Sequence, residues 1–333
     1  MDLRRVGLHP NFWHPVAWSD ELKTGKMLAA SFAGDPIMLA RPVEGGLFAL
    51  ADRCSHRQVP LTKGVLSGEG VRCGYHGWKF GRDGACIDVP SLGKAGPNGV
   101  RAYPVAEADG LVFVYPGEGT PPPLPSHPAA TDPEYKTRRL DRRIKCHYSF
   151  MHENLMDMNH QFLHRSLMGS IRPVLLQTRR GPGWIEATYR FERVGGGQSL
   201  GEKFMIGPSS KVEGVDAMVI RTQYPYQTLT FARAGSAKPE LDLWLSYVPV
   251  DKEQRQNRSF GLMSIKKPGF PGLIHLFWPF ICLFTDGIFG QDQWIVEAEQ
   301  RAWDDQGGDR NKEIFPLIQA LREVLAQGGV PLP

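Results

Sequence analysis

The stretch 54-CSHRQVPLTKGVLSGEGVRCGYHGWKF-80 contains two cysteines and two histidines arranged as two short pairs. Cys54 and His56 form the first pair, Cys73 and His76 form the second, and sixteen residues separate His56 from Cys73. Thiolate and imidazole are common metal ligands, and nearby glycines favour loops on which the four side chains can converge. The stretch therefore predicts a metal centre held between two loops.

Length and composition limit the classes of protein to consider. The chain has 333 residues, which favours about two domains over one. Its 41% hydrophobic and 22% charged residues are typical of a globular protein with a sizeable core. The net charge of +4 is small and dispersed, which disfavours a nucleic acid as the main partner because phosphate binding needs a concentrated basic surface.

Nothing in the sequence indicates export. The first residues, MDLRRVGLHPNFWHPVAW, lack the continuous apolar core of a signal peptide, and we identify no run of about 18 apolar residues that would span a membrane. Five cysteines are an odd number, which favours metal ligation over a disulfide framework. We expect a cytoplasmic protein.

The first third of the chain has the pattern of a small all-β domain. Short β-rich runs broken by glycine extend from about residue 47 to residue 115. The segment 116-PGEGTPPPLPSHPAATDP-133 is dense in proline and glycine and predicts a linker. We therefore place a first domain at 1–120, a linker at 121–135 and a second domain at 136–333.

The second domain is predicted to be α+β. Apolar spacing predicts a helix over 150–169 and two C-terminal helices over 288–303 and 312–327. Three runs between them alternate or cluster β-branched and aromatic residues, as antiparallel strands do: 184–194, 218–234 and 241–250. The expected architecture is a curved antiparallel sheet with helices packed on it.

Two kinds of metal centre fit the Cys and His pairs. A zinc ion can bind two cysteines and two histidines, but zinc sites usually pair like ligands, as C-x2-4-C and H-x3-5-H. Here each loop carries one cysteine and one histidine. This order favours a two-iron cluster in which the cysteines bind one iron and the histidines bind the other.

With C-S-H-R at 54–57 and C-G-Y-H-G-W at 73–78, the sequence resembles the Rieske iron–sulfur family. The resemblance implies one [2Fe-2S] cluster whose ligands are the two Cys/His pairs. Gly74 and Gly77 would let the backbone approach the cluster closely, and Trp78 would shield it or simply pack in the core. Because ferredoxin-like carriers share this motif, the rest of the chain must decide between a carrier and an enzyme.

A second set of metal-binding residues lies in 153-ENLMDMNHQFLHR-165. Asp157, His160 and His164 are spaced at i, i+3 and i+7 and would share one face of the predicted helix. Two histidines one turn apart can bind one metal ion, and an acidic neighbour strengthens that interpretation. The segment therefore predicts a second metal site.

This second site lacks a carboxylate ligand. Non-haem Fe(II) sites that activate O2 use two histidines and one carboxylate on one side of the iron, which leaves positions open for O2 and substrate. Asp292 in 288-IFGQDQWIVEAEQ-300 is the favoured candidate because aromatic residues around it would face inward. Its rivals are Asp286, Glu297 and Asp304.

From N-F-W at 11–13 almost to the C-terminus, the chain is similar to the catalytic α subunits of Rieske non-haem iron oxygenases. Its length and motifs resemble the demethylase-like monooxygenase branch, which includes dicamba and vanillate O-demethylases. The resemblance implies an all-β Rieske domain followed by a helix-grip (START-like) catalytic domain. It also implies that His160, His164 and Asp292 bind one mononuclear Fe(II). The H-x3-H spacing is one residue shorter than the usual H-x4-H, and His152 would be the nearest substitute for His164.

In this family an aspartate bridges an iron-binding histidine to a cluster-binding histidine of the neighbouring subunit of a head-to-tail trimer. The resemblance therefore implies a homotrimer in which Asp157 carries electrons from His76 to His160. Asn154, one turn earlier, would steady the same network. A solvated carboxylate, or an anchor for His160, remains the alternative role of Asp157.

The function implied by the resemblance is that of a terminal oxygenase. It would use O2 and electrons from NAD(P)H to hydroxylate or oxidatively demethylate a hydrophobic molecule, such as an aromatic compound, a terpenoid or a sterol. No nucleotide-binding glycine fingerprint follows a strand, so the electrons must pass through a separate reductase, a ferredoxin or both. The alternatives are a cis-dihydroxylating arene dioxygenase and a Rieske electron carrier without oxygenase activity.

Six basic residues near the cluster loops would attract an acidic electron donor, or are ordinary solvated charges: Arg53, Arg57, Lys63, Arg72, Lys79 and Arg82. Four aromatic residues of the predicted sheet would wall the substrate pocket, or only fill the core: Tyr224, Tyr226, Phe231 and Trp244. The apolar run 266–290 is interpreted either as a buried loop over the active site or as an entrance that weakly contacts a membrane surface.

Overall fold

The computed structural model describes residues 2–195, 197–206, 216–270 and 272–332. The chain divides into two compact units. The N-terminal unit comprises His9–Ser126 and Val248–Glu253, and the C-terminal unit comprises Met1–Leu8, His127–Tyr247 and Gln254–Pro333. The main change of unit, between Ser126 and His127, falls inside the predicted linker 121–135.

The strands in chain order are β1 (Val6–Gly7), β2 (His14–Trp18), β3 (Lys26–Phe32), β4 (Asp35–Arg41), β5 (Phe48–Ala51), β6 (Val65–Ser67), β7 (Gly70–Arg72), β8 (Lys79–Gly81), β9 (Cys86–Asp88), β10 (Ala102–Tyr103), β11 (Val105–Ala108), β12 (Leu111–Val114), β13 (Tyr135–Ile144), β14 (Ser170–Gly181), β15 (Trp184–Gly195), β16 (Ala217–Gln223), β17 (Tyr226–Ala232), β18 (Leu241–Pro249), β19 (Asn257–Lys266) and β20 (Val330–Pro331). The α-helices are α1 (Tyr148–Met156), α2 (Arg165–Met168), α3 (Leu200–Ile206), α4 (Leu273–Gln306) and α5 (Pro316–Gly328). Short 3-10 helices cover Leu3–Arg5, Leu61–Lys63, Pro128–Ala130 and Met158–Phe162.

The N-terminal unit is built from small antiparallel sheets. Strands β10, β5, β4 and β3 form one sheet, β11, β12 and β2 form a second, and β6 to β9 form a third. Met38, Leu50 and Phe80 are fully buried in its core together with the sulfur-bearing Cys54 and Cys73. The prediction of an all-β first domain is confirmed.

The C-terminal unit contains a seven-stranded antiparallel sheet in the order β13-β19-β18-β17-β16-β15-β14. The run 218–234, one of the three from which the antiparallel sheet was predicted, is a hairpin of β16 and β17 whose turn contains a cis peptide bond between Tyr224 and Pro225. The first residues of the chain belong to this unit because Val6 in β1 pairs with Pro331 in β20. With helices α1, α4 and α5 added, the predicted α+β class is confirmed.

Helix α4 begins well before the predicted start at residue 288 and includes Pro279. Its buried residues recur at helical spacing, as in Ile281, Thr285, Asp292 and Val296, so one face of α4 packs against the protein over most of its length. The interpretation of 266–290 as a buried loop is wrong because this inward apolar face stabilises a helix despite the proline.

Candidate metal centres and substrate cavity

The two loops that carry the Cys/His pairs have the same backbone geometry. In each loop the N–H of the cysteine, Cys54 or Cys73, donates to the carbonyl five residues later, at 2.9 and 2.8 Å. The carbonyl of each cysteine accepts the N–H four residues later, at 2.8 and 3.1 Å. That fourth residue, Gln58 or Gly77, has a positive φ of 60° or 73°. The loops repeat one conformation although C-x-H and C-x2-H space the ligands differently.

The four predicted cluster ligands lie together and differ in exposure. Cys54 and Cys73 are free thiols with only 2% and 4% of their surface exposed, whereas His56 and His76 are exposed. The two imidazole rings lie 4.6 Å apart between centroids, and the Trp78 ring stacks on His56 at 4.8 Å. Burial raises the pKa of the Cys54 thiol, which a bound metal would oppose. This donor set fits a Rieske cluster with its thiolate-bound iron buried and its imidazole-bound iron near the surface.

Two glycines in the second loop are required by the backbone itself. Gly77 has a φ of 73°, in the left-handed region that side chains disfavour. A Cβ on Gly74 would lie 2.7 Å from the carbonyl oxygen of Lys63, so the close approach of another chain segment excludes a side chain. The conformation and packing of the loops therefore require glycine at both positions, in addition to the predicted close approach of the backbone to the cluster.

Half of the predicted basic rim is engaged locally: Arg72 pairs with Asp88 at 3.2 Å, Lys79 pairs with Glu69, and Arg82 donates to the carbonyls of Glu44 and Gly68. Within the described residues, no ion pair involves the other three, which are Arg53, Arg57 and Lys63. All three are exposed. The positive charge available to an incoming protein is thus smaller than the sequence suggested.

The segment predicted as one helix, 150–169, is broken into three pieces. Helix α1 ends at Met156, a 3-10 helix covers Met158–Phe162, and α2 starts at Arg165. The break occurs at Asp157, whose carboxylate caps the 3-10 helix by accepting the N–H of Asn159 at 3.0 Å. The single-helix prediction was wrong because the capping aspartate interrupts the α-helical hydrogen bonds.

The break brings both histidines to the carboxylate of α4. His160 Nε2 lies 3.8 Å and His164 Nε2 lies 3.3 Å from Asp292 Oδ1, and a ligand atom from each of the three residues lies within 4.8 Å of the others. The two imidazole rings are nearly perpendicular, with centroids 5.1 Å apart. The two histidines and the carboxylate of the predicted iron site therefore come together despite the short H-x3-H spacing.

Hydrogen bonds fix the histidine tautomers. His160 Nδ1 donates to the Asp157 carbonyl at 2.6 Å, and His164 Nδ1 donates to Gln291 Oε1 at 2.8 Å. Nε2 is therefore the atom of each ring that faces Asp292, and its lone pair is available to a metal ion when the ring is neutral. Gln291 was missed by the sequence analysis, although its position beside Asp292 was a signal that α4 presents more than one polar residue to the site.

Charge and burial act together on the three residues. Burial alone would raise the pKa of Asp292, but the hydrogen bond with His164 and the charge of His160 outweigh it, so the pKa is lowered. Burial alone would lower the pKa of His164, but Asp292 outweighs it, so the pKa is raised. The three residues thus favour a carboxylate that faces positive charge, and a divalent cation bound there would supply that charge in place of the protons on the two Nε2 atoms.

The rival residues are occupied elsewhere. Asp286 pairs with Arg138 and Arg142, and Glu297 accepts the Lys145 N–H. Asp304 pairs with Arg255 at 2.7 Å. His152, the alternative to His164, is fully buried with its ring edge-on to Tyr247 at 5.0 Å.

Asn154 and Asp157 play different parts. Asn154 Nδ2 donates to Asp292 Oδ1 at 3.0 Å, so this amide orients the carboxylate rather than Asp157. The Asp157 carboxylate bonds to Asn159, while its carbonyl holds His160. Asp157 and His160 also line a recess together with Asn154 and Phe162.

An apolar cavity of about 90 Å³ is lined by all three residues. Its walls include Met158, Leu229, Leu243, Met263 and Phe289. All three residues line this cavity, and His160 also lines the recess that contains Asp157.

Of the four predicted wall aromatics, Phe231 lines an adjoining cavity. Tyr226 and Trp244 instead stack on each other at 5.4 Å, and Tyr224 would contact a Cβ on Gly328. Side chains alternate between sheet faces, so Tyr226 points away from the face that carries Leu229 and Phe231. The aromatic wall prediction was wrong for all but Phe231, because the cavity is lined mainly by Leu and Met.

Helix α4 also presents an apolar outer face. Leu276, Phe280 and Leu283, at i, i+4 and i+7, are 68%, 62% and 73% exposed. By length and composition the helix could cross a membrane. The expectation that no segment is apolar enough to span a membrane is therefore wrong for this helix.

Comparison with known proteins identifies the family. Residues 12–107 match the Rieske [2Fe-2S] domain, and residues 144–317 match the vanillate O-demethylase oxygenase C-terminal domain. The chain is 29% identical to a 4beta-methylsterol monooxygenase of Methylococcus capsulatus, over 97% of this chain and 89% of the relative. It is 30% identical to the terminal oxygenase component of carbazole 1,9a-dioxygenase from a Sphingomonas species, over 94% of this chain and 89% of the relative.

The fold agrees with these matches. A crystal structure of dicamba monooxygenase bound to 3,6-dichlorosalicylic acid superimposes with a TM-score of 0.76 at 24% identity, covering 96% of this chain and 98% of that one. The chain therefore belongs to the Rieske non-haem iron oxygenases. Within that family it is a terminal oxygenase component of the group that contains monooxygenases and O-demethylases, and the family carries a Rieske cluster and a mononuclear iron.

Proposed function

We propose that this subunit hydroxylates or oxidatively demethylates a hydrophobic small molecule by monooxygenation. The observation that carries the proposal is the convergence of His160, His164 and Asp292 at the wall of an apolar cavity. A cavity lined by Leu and Met favours an apolar substrate body. The relatives named above include both a monooxygenase and a dioxygenase, so cis-dihydroxylation is the alternative outcome.

The three residues fit a mononuclear Fe(II) in type and number. A bound iron, supplied with electrons, would activate O2 so that one oxygen atom enters the substrate and the other leaves as water. The protein's own residues orient the ligands: the Asp157 carbonyl and Gln291 hold the rings, and Asn154 holds the carboxylate. The apolar walls exclude water from the reacting bond.

Electrons enter, on this proposal, through the recess on the opposite side of His160. Residues 1–120, apart from the first eight, which belong to the C-terminal unit, would form the electron-accepting domain, 121–135 the linker and 136–333 the catalytic domain. In a head-to-tail homotrimer, Asp157 would bridge His160 to His76 of the partner subunit. Asp157 is only half-buried and lines the recess with His160, which supports access by another subunit.

The electrons would come from NAD(P)H through a reductase, a ferredoxin or both, in the cytoplasm. A solved carbazole oxygenase forms a complex with its ferredoxin. Here Arg53, Arg57 and Lys63 are the exposed charges suited to an acidic donor. Arg53→Glu and Arg57→Glu should reduce the salt dependence of cluster reduction by a ferredoxin, whereas Arg82→Glu, whose guanidinium is held by carbonyls, should change it less.

A weak contact with a membrane surface is the further partner proposal. The outer face of α4 carries Leu276, Phe280 and Leu283, while its inner face contributes Ile288 and Phe289 to the cavity. A helix that lines a cavity on one side cannot be surrounded by lipid, so α4 would lie along the surface. Co-sedimentation with anionic vesicles should fall in Phe280→Glu but not in Ile314→Glu, which changes an even more exposed apolar residue elsewhere.

The test of the function begins with metal content. Anaerobically purified protein should contain about three irons and two acid-labile sulfides per chain, and His160→Ala should retain about two irons. Oxygenation assays with 18O2 should then place one labelled atom in the product. Two irons in both proteins would reject the oxygenase and favour an electron carrier.

A further inference from the structure

One buried amide at the active site has an unused hydrogen-bonding atom. Gln161 lies between the two site histidines and is 8% exposed. Its Oε1 has no hydrogen-bond partner in the described part of the chain, and its Nε2 makes only a long contact of 4.0 Å with Met158 sulfur. Burying an amide without hydrogen-bond partners lowers the free energy of unfolding.

A second buried glutamine provides the contrast. Gln227 is fully buried, and its Nε2 donates to the His152 carbonyl and the Thr222 hydroxyl, both at 3.0 Å. Its Oε1 accepts the Tyr247 hydroxyl, also at 3.0 Å. Where a buried amide has a structural role, as in Gln227, the fold therefore provides hydrogen-bond partners for both its nitrogen and its oxygen.

Gln161 lies where two cavities adjoin. Four residues line both the inner apolar cavity and the outer cavity: Gln161, Met168, Met218 and Leu241. Three of the four are apolar, so Gln161 is the polar member of the junction. The outer cavity also contains charged residues, including the Arg193–Glu202 pair at 2.7 Å. An apolar molecule that extends from His160, His164 and Asp292 toward the outer cavity would pass the Gln161 amide.

We propose that Gln161 recognises a neutral hydrogen-bond donor, a hydroxyl or ring N–H, on an otherwise apolar substrate. This deepens the proposed function and rests on it for the identity of the occupant. The unpaired Oε1 of Gln161 needs a hydrogen-bond donor. If the substrate were a plain hydrocarbon, a leucine at position 161 would avoid the free-energy cost of burying an unpaired amide. Among the described residues that line the inner cavity, no charged side chain beyond His160, His164 and Asp292 could pair with an ammonium or carboxylate, and the Thr285 hydroxyl already bonds to Ile281.

The first test needs no substrate and is independent of oxygenase activity. Thermal unfolding of the iron-loaded protein is compared with that of Gln161→Leu and Gln227→Leu. Removing an unsatisfied amide should raise the melting temperature of Gln161→Leu by about 1–3 °C, whereas Gln227→Leu should lower it because three partners lose their bonds. A clear fall in Gln161→Leu would show a structural amide and overturn the proposal.

The second test uses three tricyclic probes of similar shape. Carbazole presents an N–H, 9-fluorenol an O–H, and fluorene only C–H groups. The wild-type protein should bind at least one donor probe about 10-fold more tightly than fluorene, and Gln161→Leu should lose that preference. Equal affinity of the wild type for all three would overturn the proposal. Iron content is measured in both proteins, so loss of the metal site is distinguished from loss of recognition.

Discussion

The hydrogen bond between Asn154 and Asp292 makes a quantitative prediction about iron binding. Asn154 Nδ2 donates to Asp292 Oδ1 at 3.0 Å, and this oxygen is also the one nearest to both histidines. Replacing Asn154 with alanine leaves a buried carboxylate without its orienting donor. A hydrogen bond to a charged group contributes about 1.5–3 kcal/mol. We therefore expect Asn154→Ala to bind Fe(II) about 10- to 100-fold more weakly than the wild type.

The assay is anaerobic competition for Fe(II) between the protein and a chelator, after removal of the mononuclear iron with the Rieske cluster intact. The cluster absorbance reports that the N-terminal unit is unchanged. Asn159→Ala is the matched control, because Asn159 is exposed and its amide bonds to Asp157 instead. Fe(II) affinity in Asn154→Ala equal to that of the control would refute the view that Asn154 orients the ligand.

Three other predictions follow from individual residues. Asp292→Asn should lose about one iron per chain while Asp286→Asn should keep it, and the reverse result by metal analysis would identify the wrong carboxylate. Gln58→Gly should raise the free energy of unfolding by about 0.5–1 kcal/mol, because a φ of 60° strains glutamine; an unchanged denaturation midpoint would contradict this. Burial lowers the pKa of both His147 and His152 to about 3. Both histidines are neutral in the folded protein, so the free energy of unfolding is fully present above about pH 6.5. Below that pH the unfolded chain takes up protons, and the free energy of unfolding falls by about 2 kcal/mol per histidine at pH 5. Urea unfolding at pH 7 and pH 5 measures the loss.

The sequence by itself determined the parts of this protein that depend on local chemistry. The order of Cys54, His56, Cys73 and His76 specified a Rieske cluster, because the alternation of thiolate and imidazole distinguishes it from zinc. The proline- and glycine-rich segment 116–133 predicted a linker, and the chain changes unit within it, between Ser126 and His127. Period-two runs likewise predicted the antiparallel sheet, since strand patterning is a local property.

Tertiary structure alone decided which distant groups meet. Four carboxylates satisfied the chemistry of the iron site, and only the packing of α4 brought Asp292 to the histidines while Arg138 and Arg142 paired with Asp286. The break at Asp157 could not be inferred from apolar periodicity, because a capping hydrogen bond competes with the helix within one turn. The role of Gln161 likewise depends on which atoms surround its amide. The spacing of residues along the chain predicts which side chains are neighbours within one helix or strand. Contacts between elements are determined by how their buried faces pack.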